Sequence, residues 1–393
     1  MAKKVFLRKN EEKRIASGHQ WVFSNEIREV QGGPSSGDIV DLYDNLQNFL
    51  GKGFYNPSSL IAVRIITRSS QEPDRAFWTE KISKAFEYRK KAYPEQNSFR
   101  AVFGESDGVP GLVVDKYGDF LSAQFLSAGI EANRSIFIEI LKEVFKPQGI
   151  VARNDSRLRK LEGLEEKIEV LFGEIPEKVK IEENGKLFWI DLSSGQKTGF
   201  FFDQRDNRSL LSKYCKGKKM LDAYCHTGAF GIYALKGGAS GAVWLDSSKP
   251  ALERAEENAK LNGFGESFNG IAGDALEYLG DEQSAREKFD IINLDPPALI
   301  KSKKDFNAGY RLYVKINTAA LNLLGSGGIL ATSSCSHNLS PQDFRAMLME
   351  AAGKAGRQLR LLESGTQSKD HPILISMPET EYLKFAIVEV IAK

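Results

Sequence analysis

From about residue 200 onward the chain repeats one pattern, a short apolar run followed by a segment with apolar residues three and four apart. Lys219 to Cys225, Ala242 to Asp246, Phe268 to Ala272, Phe289 to Leu294 and Ile329 to Ser333 read as strands. Gly228 to Leu235, Pro250 to Leu261, a segment ending at Leu324, and Pro341 to Ala355 read as helices. Pro250 in a first turn and Asn262-Gly263 just past the last one are where helix ends favour them. Repeated strand–helix units imply a parallel sheet with right-handed crossovers. Two later runs, Leu359 to Leu362 and Tyr382 to Ile391, have no helix between them, so the last strand is expected to insert antiparallel.

The earlier part of the chain is patterned differently. Val5-Phe6-Leu7, Val22-Phe23, Asp38 to Tyr43 and Leu60 to Ile66 are short β-branched or alternating runs. Gly32-Gly33-Pro34, Asp44-Asn45 and Asn56-Pro57-Ser58-Ser59 punctuate them as turns, and an open β-barrel is the expected outcome. Asp74 to Tyr93 then reads as a helix stopped by Pro94. A hairpin (Gly111 to Asp115, Phe120 to Phe125), a helix (Asn133 to Phe145) and a strand (Gly149 to Arg153) follow, and Asn184-Gly185 closes another hairpin. The expected architecture is α/β: a β-barrel domain over 1–72, a small central α+β domain over 73–178, and a Rossmann-like domain over 179–393 led by the hairpin.

Composition narrows the class. With 54 basic and 52 acidic residues the net charge is +2, so any nucleic-acid affinity must come from local patches. Of these, Lys301, Lys303 and Lys304 are the most pointed, because they follow Asp295-Pro296-Pro297 closely; a solvated face is the plain alternative. Three cysteines without C-x-x-C spacing argue against a disulfide framework or a zinc site and fit a reducing cytoplasm. No apolar targeting segment and no membrane-length apolar run is visible, so a soluble intracellular protein is expected.

Chemistry gathers at the strand ends, where open α/β sheets bind ligands. The turn from Asp222 to Gly231 carries Tyr224, Thr227 and Gly228, and its glycines let backbone approach a ligand ahead of a helix N-terminus. His226 stands where a dinucleotide fingerprint has its first glycine, which disfavours a pyrophosphate cradle and leaves room for an amino-acid end. Asp246, 24 residues on, has the place of a ribose-binding acid, and Asp274 that of an acid meeting an adenine amino group. Either could instead cap the helix that follows. Asp295-Pro296-Pro297 leaves the fourth strand with a stiffened turn behind the carboxylate. Ala298 and Leu299 follow, not the stacking aromatic usual in enzymes that methylate amino groups.

Cys335, ending the fifth strand, points to the reaction. Carbon 5 of a pyrimidine is too weak a nucleophile to accept a methyl group unaided. A thiolate adding at carbon 6 makes it enamine-like, which requires an accessible thiol. The alternative is a small buried hydrophobe. Cys215 and Cys225 read as structural, His226 and His337 as bases or plain loop residues. The aromatic run Phe200-Phe201-Phe202, flanked by Lys197 and Arg205, could wall a cofactor, stack a base or pack a hinge.

With these residues in view, the chain resembles the bacterial large-subunit ribosomal RNA methyltransferase I family over essentially its full length. The resemblance rests on Gly18 to Phe23, Glu105 to Gly118, Lys197 to Asp206, the Asp222 to Gly231 turn, Asp295-Pro296-Pro297 with Lys301-Ser302-Lys303, and Ser334-Cys335-Ser336. It implies an N-terminal PUA domain, a central α/β domain and an S-adenosylmethionine-dependent methyltransferase domain, often as a homodimer, acting on carbon 5 of cytosine in 23S rRNA. By position it implies cofactor contacts from Gln204, Asp222, Asp246 and Asp274 and from the turn, base holding by Asp295 and covalent attack by Cys335. Some members have a cysteine where Ser333 stands here. Uridine carbon-5 methylation is the rival within the enzyme class, and a non-catalytic RNA-binding assembly factor the rival outside it.

Overall fold

Short β-branched runs and glycine turns build the start of the chain into a six-stranded sheet in the computed structural model, which describes residues 2–192, 199–281 and 287–392. Its strands are β1 (Lys4–Leu7), β2 (Trp21–Phe23), β3 (Ile27–Gln31), β4 (Ile39–Tyr43), β5 (Phe49–Tyr55) and β6 (Ile61–Thr67), in the order β2-β6-β5-β4-β1-β3. Val5, Leu7, Val22, Val40, Leu42 and Val63 fill its core with Ile15, contributed by helix α1 (Glu12–Ala16). β5 holds its place through glycine: a Cβ on Gly53 would lie 2.5 Å from the Val63 side chain.

A second, five-stranded sheet follows. Helix α2 (Arg75–Ala92) starts at Asp74, whose carboxylate accepts the Phe77 amide hydrogen at 2.9 Å. Then come β7 (Phe99–Phe103), β8 (Leu112–Tyr117), β9 (Phe120–Phe125), α3 (Ala128–Ala132), α4 (Arg134–Phe145), β10 (Gly149–Asn154), α5 (Leu158–Leu161) and β11 (Lys167–Gly173). The order is β11-β10-β9-β8-β7, and Trp78, Ile82, Val114, Phe137 and Ile140 lie in the core between sheet and helices. The hairpin of β12 (Val179–Glu183) and β13 (Lys186–Ile190) turns on Asn184 and Gly185, both left-handed (φ 50° and 73°).

The chain packs as two units. One comprises Met1–Glu182, Ile190–Phe202 and Lys369–Thr380, the other Glu183–Trp189, Asp203–Ser368 and Glu381–Lys393. The second contains α6 (Arg205–Ser212), β14 (Lys219–Ala223), α7 (Ala229–Lys236), β15 (Gly241–Asp246), α8 (Lys249–Leu261), β16 (Gly270–Ala272) and α9 (Ala275–Gly280). It continues with β17 (Phe289–Leu294), α10 (Phe306–Leu323), β18 (Leu324–Ser334), α11 (Pro341–Lys354), β19 (Gln358–Gly365) and β20 (Lys384–Ala392). The seven strands run β16-β15-β14-β17-β18-β20-β19. β16, β15, β14, β17 and β18 are mutually parallel, while β20 is antiparallel to both β18 and β19, as the missing helix predicts.

Central strands read as unbroken apolar runs because helices cover both faces. Leu221, Ile292, Leu330 and Val388 pack with α10 and α11, and Met220, Ile291 and Ala331 with Phe230 and Leu211 on the other side. Each fully buried Leu or Ile contributes roughly 1.5–3 kcal/mol. Helix starts are capped locally: Ser248 takes the Ala251 amide, and Ser340 forms a capping box with Asp343. Among the described residues no helix is long and apolar enough to cross a membrane.

Candidate active site

Register aligns the carboxyl ends of the parallel strands along one edge. Ala223 lies opposite Leu245 and Leu294, Asp246 opposite Ala272, and Leu294 opposite Thr332. The Asp222 turn, Asp246, Asp274, Asp295 and Cys335 therefore follow successive strands of one sheet edge.

The first turn is tightly wound. Tyr224, His226 and Gly228 all adopt left-handed backbone (φ 61°, 49° and 80°), and for the two side-chain-bearing residues that stores strain, about 1–3 kcal/mol each. Asp222 holds it from beneath: one carboxylate oxygen accepts the Gly231 amide at 2.9 Å and the other accepts Asn293 Nδ2 at 2.9 Å. Burial, with the charges of Asp295 and Asp246 adding to it, pushes this carboxyl up to about 7. Gly231 is obligatory for packing, since a Cβ there would lie 2.2 Å from Trp244 Nε1, in a fully buried ring. Thr227 is buried, and its carbonyl accepts Asn258 Nδ2. Asp246 is not a helix cap, a role Ser248 fills; its oxygens accept the His226 and Ser248 amides at 2.9 Å each, tying the turn to β15. Asp274 does cap: its Oδ1 accepts the Leu276 and Glu277 amides that open α9. Tyr224 is half-buried beside Asp274, and its hydroxyl is pushed up to about 12 by burial and that charge.

Asp295 is held by side chains from two other segments. Gln204 Nε2 donates to its Oδ1 at 2.9 Å and to Ser333 Oγ at 3.0 Å, while Gln204 Oε1 accepts from Asn207. Burial, reinforced by the charge of Asp203, raises the Asp295 carboxyl to about 6, although the Gln204 and Ser333 hydrogen bonds pull it back. Asp203 is itself engaged by the Tyr382 hydroxyl at 2.6 Å. Gln204 thus serves as the holder of Asp295.

Cys335 is half-exposed, whereas Cys215 and Cys225 are buried. Burial pushes the Cys215 thiol up to about 12 and Cys225 well above its ordinary range, which keeps both protonated. A hydroxyl network locks the loops on either side of Cys335. Ser334 Oγ donates to the Tyr313 hydroxyl at 2.9 Å, and the Tyr313 and Ser336 hydroxyls are 3.0 Å apart. Ser336 Oγ accepts the Ile300 amide at 3.1 Å, so the segment after Asp295-Pro296-Pro297 is fastened to the cysteine loop. Lys301, Lys303 and Lys304 are exposed just beyond that fastening.

Asn293, Tyr313 and Lys384 belong to this edge although their sequence contexts did not single them out, while Asp203, Ser333, Ser334 and Ser336 stood inside quoted motifs without a role of their own. The aromatic run is described only from Gly199 on; Lys197 lies outside the described residues.

An edge lined by several acids, with a half-buried aromatic and a strained glycine turn, suits a ligand with cationic, hydroxyl-bearing and planar parts. The comparisons with known proteins agree. The PUA-like domain family matches residues 5–68, and the S-adenosylmethionine-dependent methyltransferase family matches residues 156–374. Ribosomal RNA large subunit methyltransferase I of Aeromonas hydrophila is 40% identical over 394 residues, covering 99% of both chains. Its namesake in Aeromonas salmonicida is 41% identical over 389 residues, covering 98% of both. A crystal structure assigned as a methyltransferase and complexed with SAH superposes with a TM-score of 0.86 at 22% identity, covering 99% of this chain and 100% of that one, and so shares the fold. The chain belongs to the ribosomal RNA large subunit methyltransferase I family, with S-adenosylmethionine as its cofactor.

Proposed function

We propose that this protein methylates carbon 5 of a cytosine in 23S rRNA through a covalent adduct with Cys335. The observation that carries the reading is the pairing of a half-exposed thiol and a carboxyl titrating near neutrality at the ends of neighbouring strands β18 and β17. The relatives' names support rRNA as the substrate class.

Tyr224, Thr227 and Gly228 on the turn framed by Asp222, with Asp246 at the end of β15 and Asp274 after β16, would hold S-adenosylmethionine. When bound it supplies the electrophilic methyl group that carbon 5 accepts. The chain's own residues do the rest. The Cys335 thiolate forms a bond to carbon 6, and the displaced π electrons reach carbon 5 and N3. Asp295, near 6, gives N3 a proton at that moment, so no anion builds up on the ring. Gln204 keeps the carboxyl aimed while it does so. After methylation the carbon 5 proton passes to a solvent base, the electron pair it leaves expels the Cys335 thiolate from carbon 6, and N3 returns its proton to Asp295. Uracil already carries a hydrogen at N3, so this proton exchange favours cytosine. Exposed Lys301, Lys303 and Lys304 would bind RNA phosphates.

The test is methyl transfer from radiolabelled S-adenosylmethionine to protein-free 23S rRNA from cells lacking the gene, followed by digestion to nucleosides. Label in 5-methylcytidine, lost in Cys335→Ala without loss of cofactor binding, is the expected result. Label in 5-methyluridine would overturn the base assignment, and turnover by Cys335→Ala the nucleophile.

A further inference from the structure

Because β20 runs against the five parallel strands, its first residue lies at the edge where they end. That residue is Lys384, directly opposite Ser334, the last residue of β18 and the neighbour of Cys335. Its side chain is turned inward and only 6% exposed. Nζ donates to the carbonyls of Ser336 and Tyr382 at 2.7 Å each. Lysine is almost never buried without an anionic partner, and these two acceptors are dipoles, not carboxylates. Burial pulls the ammonium down to about 8, while negative charge on Cys335, and after it Glu381, acts to hold the proton on. Among the described residues, titratable groups around this loop also include the Tyr313 hydroxyl, whose pKa burial raises, His337, whose ring lies against Tyr382, and the Tyr382 hydroxyl, which donates to Asp203.

We propose that Lys384 is a positioning residue that holds Cys335 as a thiolate: its ammonium supplies the counter-charge, and its bond to the Ser336 carbonyl fixes the loop carrying the thiol. The thiol proton leaves to solvent, and the ammonium is unchanged by the reaction. This rests on Cys335 being the nucleophile. A neighbouring cation lowers a thiol pKa, and a drop of about one unit from ~8.5 raises the thiolate fraction at neutral pH roughly eightfold.

The test is the pH dependence of iodoacetamide alkylation in the full-length protein, with Cys335→Ser as the blank for Cys215 and Cys225. The native midpoint should lie below the ordinary thiol value of about 8.5. Lys384→Met should raise it by about one unit and slow methyl transfer at neutral pH about tenfold through kcat, while Lys384→Arg restores most of both. A native midpoint at or above the ordinary value overturns the proposal whether or not a variant folds. So does an unchanged midpoint in a Lys384→Met protein that still binds S-adenosylmethionine. Retained methylation by Cys335→Ala would remove the nucleophile assignment and this role with it, whereas an unmoved midpoint beside an inactive Cys335→Ala removes this role alone.

Discussion

Asp222 offers a clean test of the electrostatics beneath the cofactor turn. Folding raises its carboxyl from an ordinary value near 3.8 to about 7. Between those values the native protein keeps a proton that the unfolded chain has released, so this residue's contribution to stability falls as pH rises through that window. Taken from about pH 5 to about pH 8, the loss amounts to ~2–3 kcal/mol at ~1.36 kcal/mol per unit. Asp222→Asn keeps the shape and removes the titration. Its side-chain oxygen can accept the Gly231 amide, and its NH2 group can donate to Asn293 Oδ1, which is buried without a partner among the described residues, once that amide flips. The variant should match the parent within ~1 kcal/mol near pH 5 and be the more stable near pH 8, a difference of roughly 5–10 °C in Tm for a unit of this size. Thermal unfolding of both proteins at the two pH values, followed by tryptophan fluorescence, measures this directly. An offset between the two proteins that does not change with pH would refute the reasoning.

Two further outcomes follow from packing and charge. Gly231→Ala puts a methyl group into the Trp244 ring and should destabilise the protein by ~1–3 kcal/mol while weakening S-adenosylmethionine binding, read by calorimetry; unchanged affinity would mean that the turn tolerates displacement. Replacing Lys301, Lys303 and Lys304 together by Ala should reduce the slope of log Kd against log salt for single-stranded RNA by ~0.7 for each phosphate no longer neutralised, and an unchanged slope would remove these lysines from the RNA path.

What was legible in the sequence depended on burial. The parallel strands announce themselves because they are covered on both faces, so Leu221, Ile292 and Leu330 stand in continuous apolar runs. Some edge strands did not, although edge strands β2, β16 and β19 were read, and inner β5 was missed because Gly51 and Gly53 interrupt its apolar run. β3 and β11 each pair with a strand on one side only, and Arg28, Glu29 and Glu169 break their patterns. Helix α6 was hidden for another reason: Arg205 and Arg208 are buried against Glu183, a charged cluster that mimics a surface segment when read along the chain. At the site, the acids at strand ends were visible, but their division of labour was not. Asp246 and Asp274 have similar contexts, yet Asp246 ties loops together and Asp274 caps a helix. Lys384 was out of reach because the expected antiparallel insertion of β20 gives its direction but not the register that sets Lys384 opposite Ser334.

That insertion also orders the birth of the protein. β20 is translated after β18 and β19 but lies between them, so the two cannot be joined while the ribosome is still making the segment that separates them. Until it arrives, β18 presents an open edge of backbone donors and acceptors, of the kind that invites pairing with foreign strands. Pairs such as Ile329 with Glu389 span long stretches of chain, which makes this closure an inherently late and slow event in folding. The nascent chain therefore carries Cys335 well before it carries Lys384, and the two strands that bear them meet only in the step that seals the sheet.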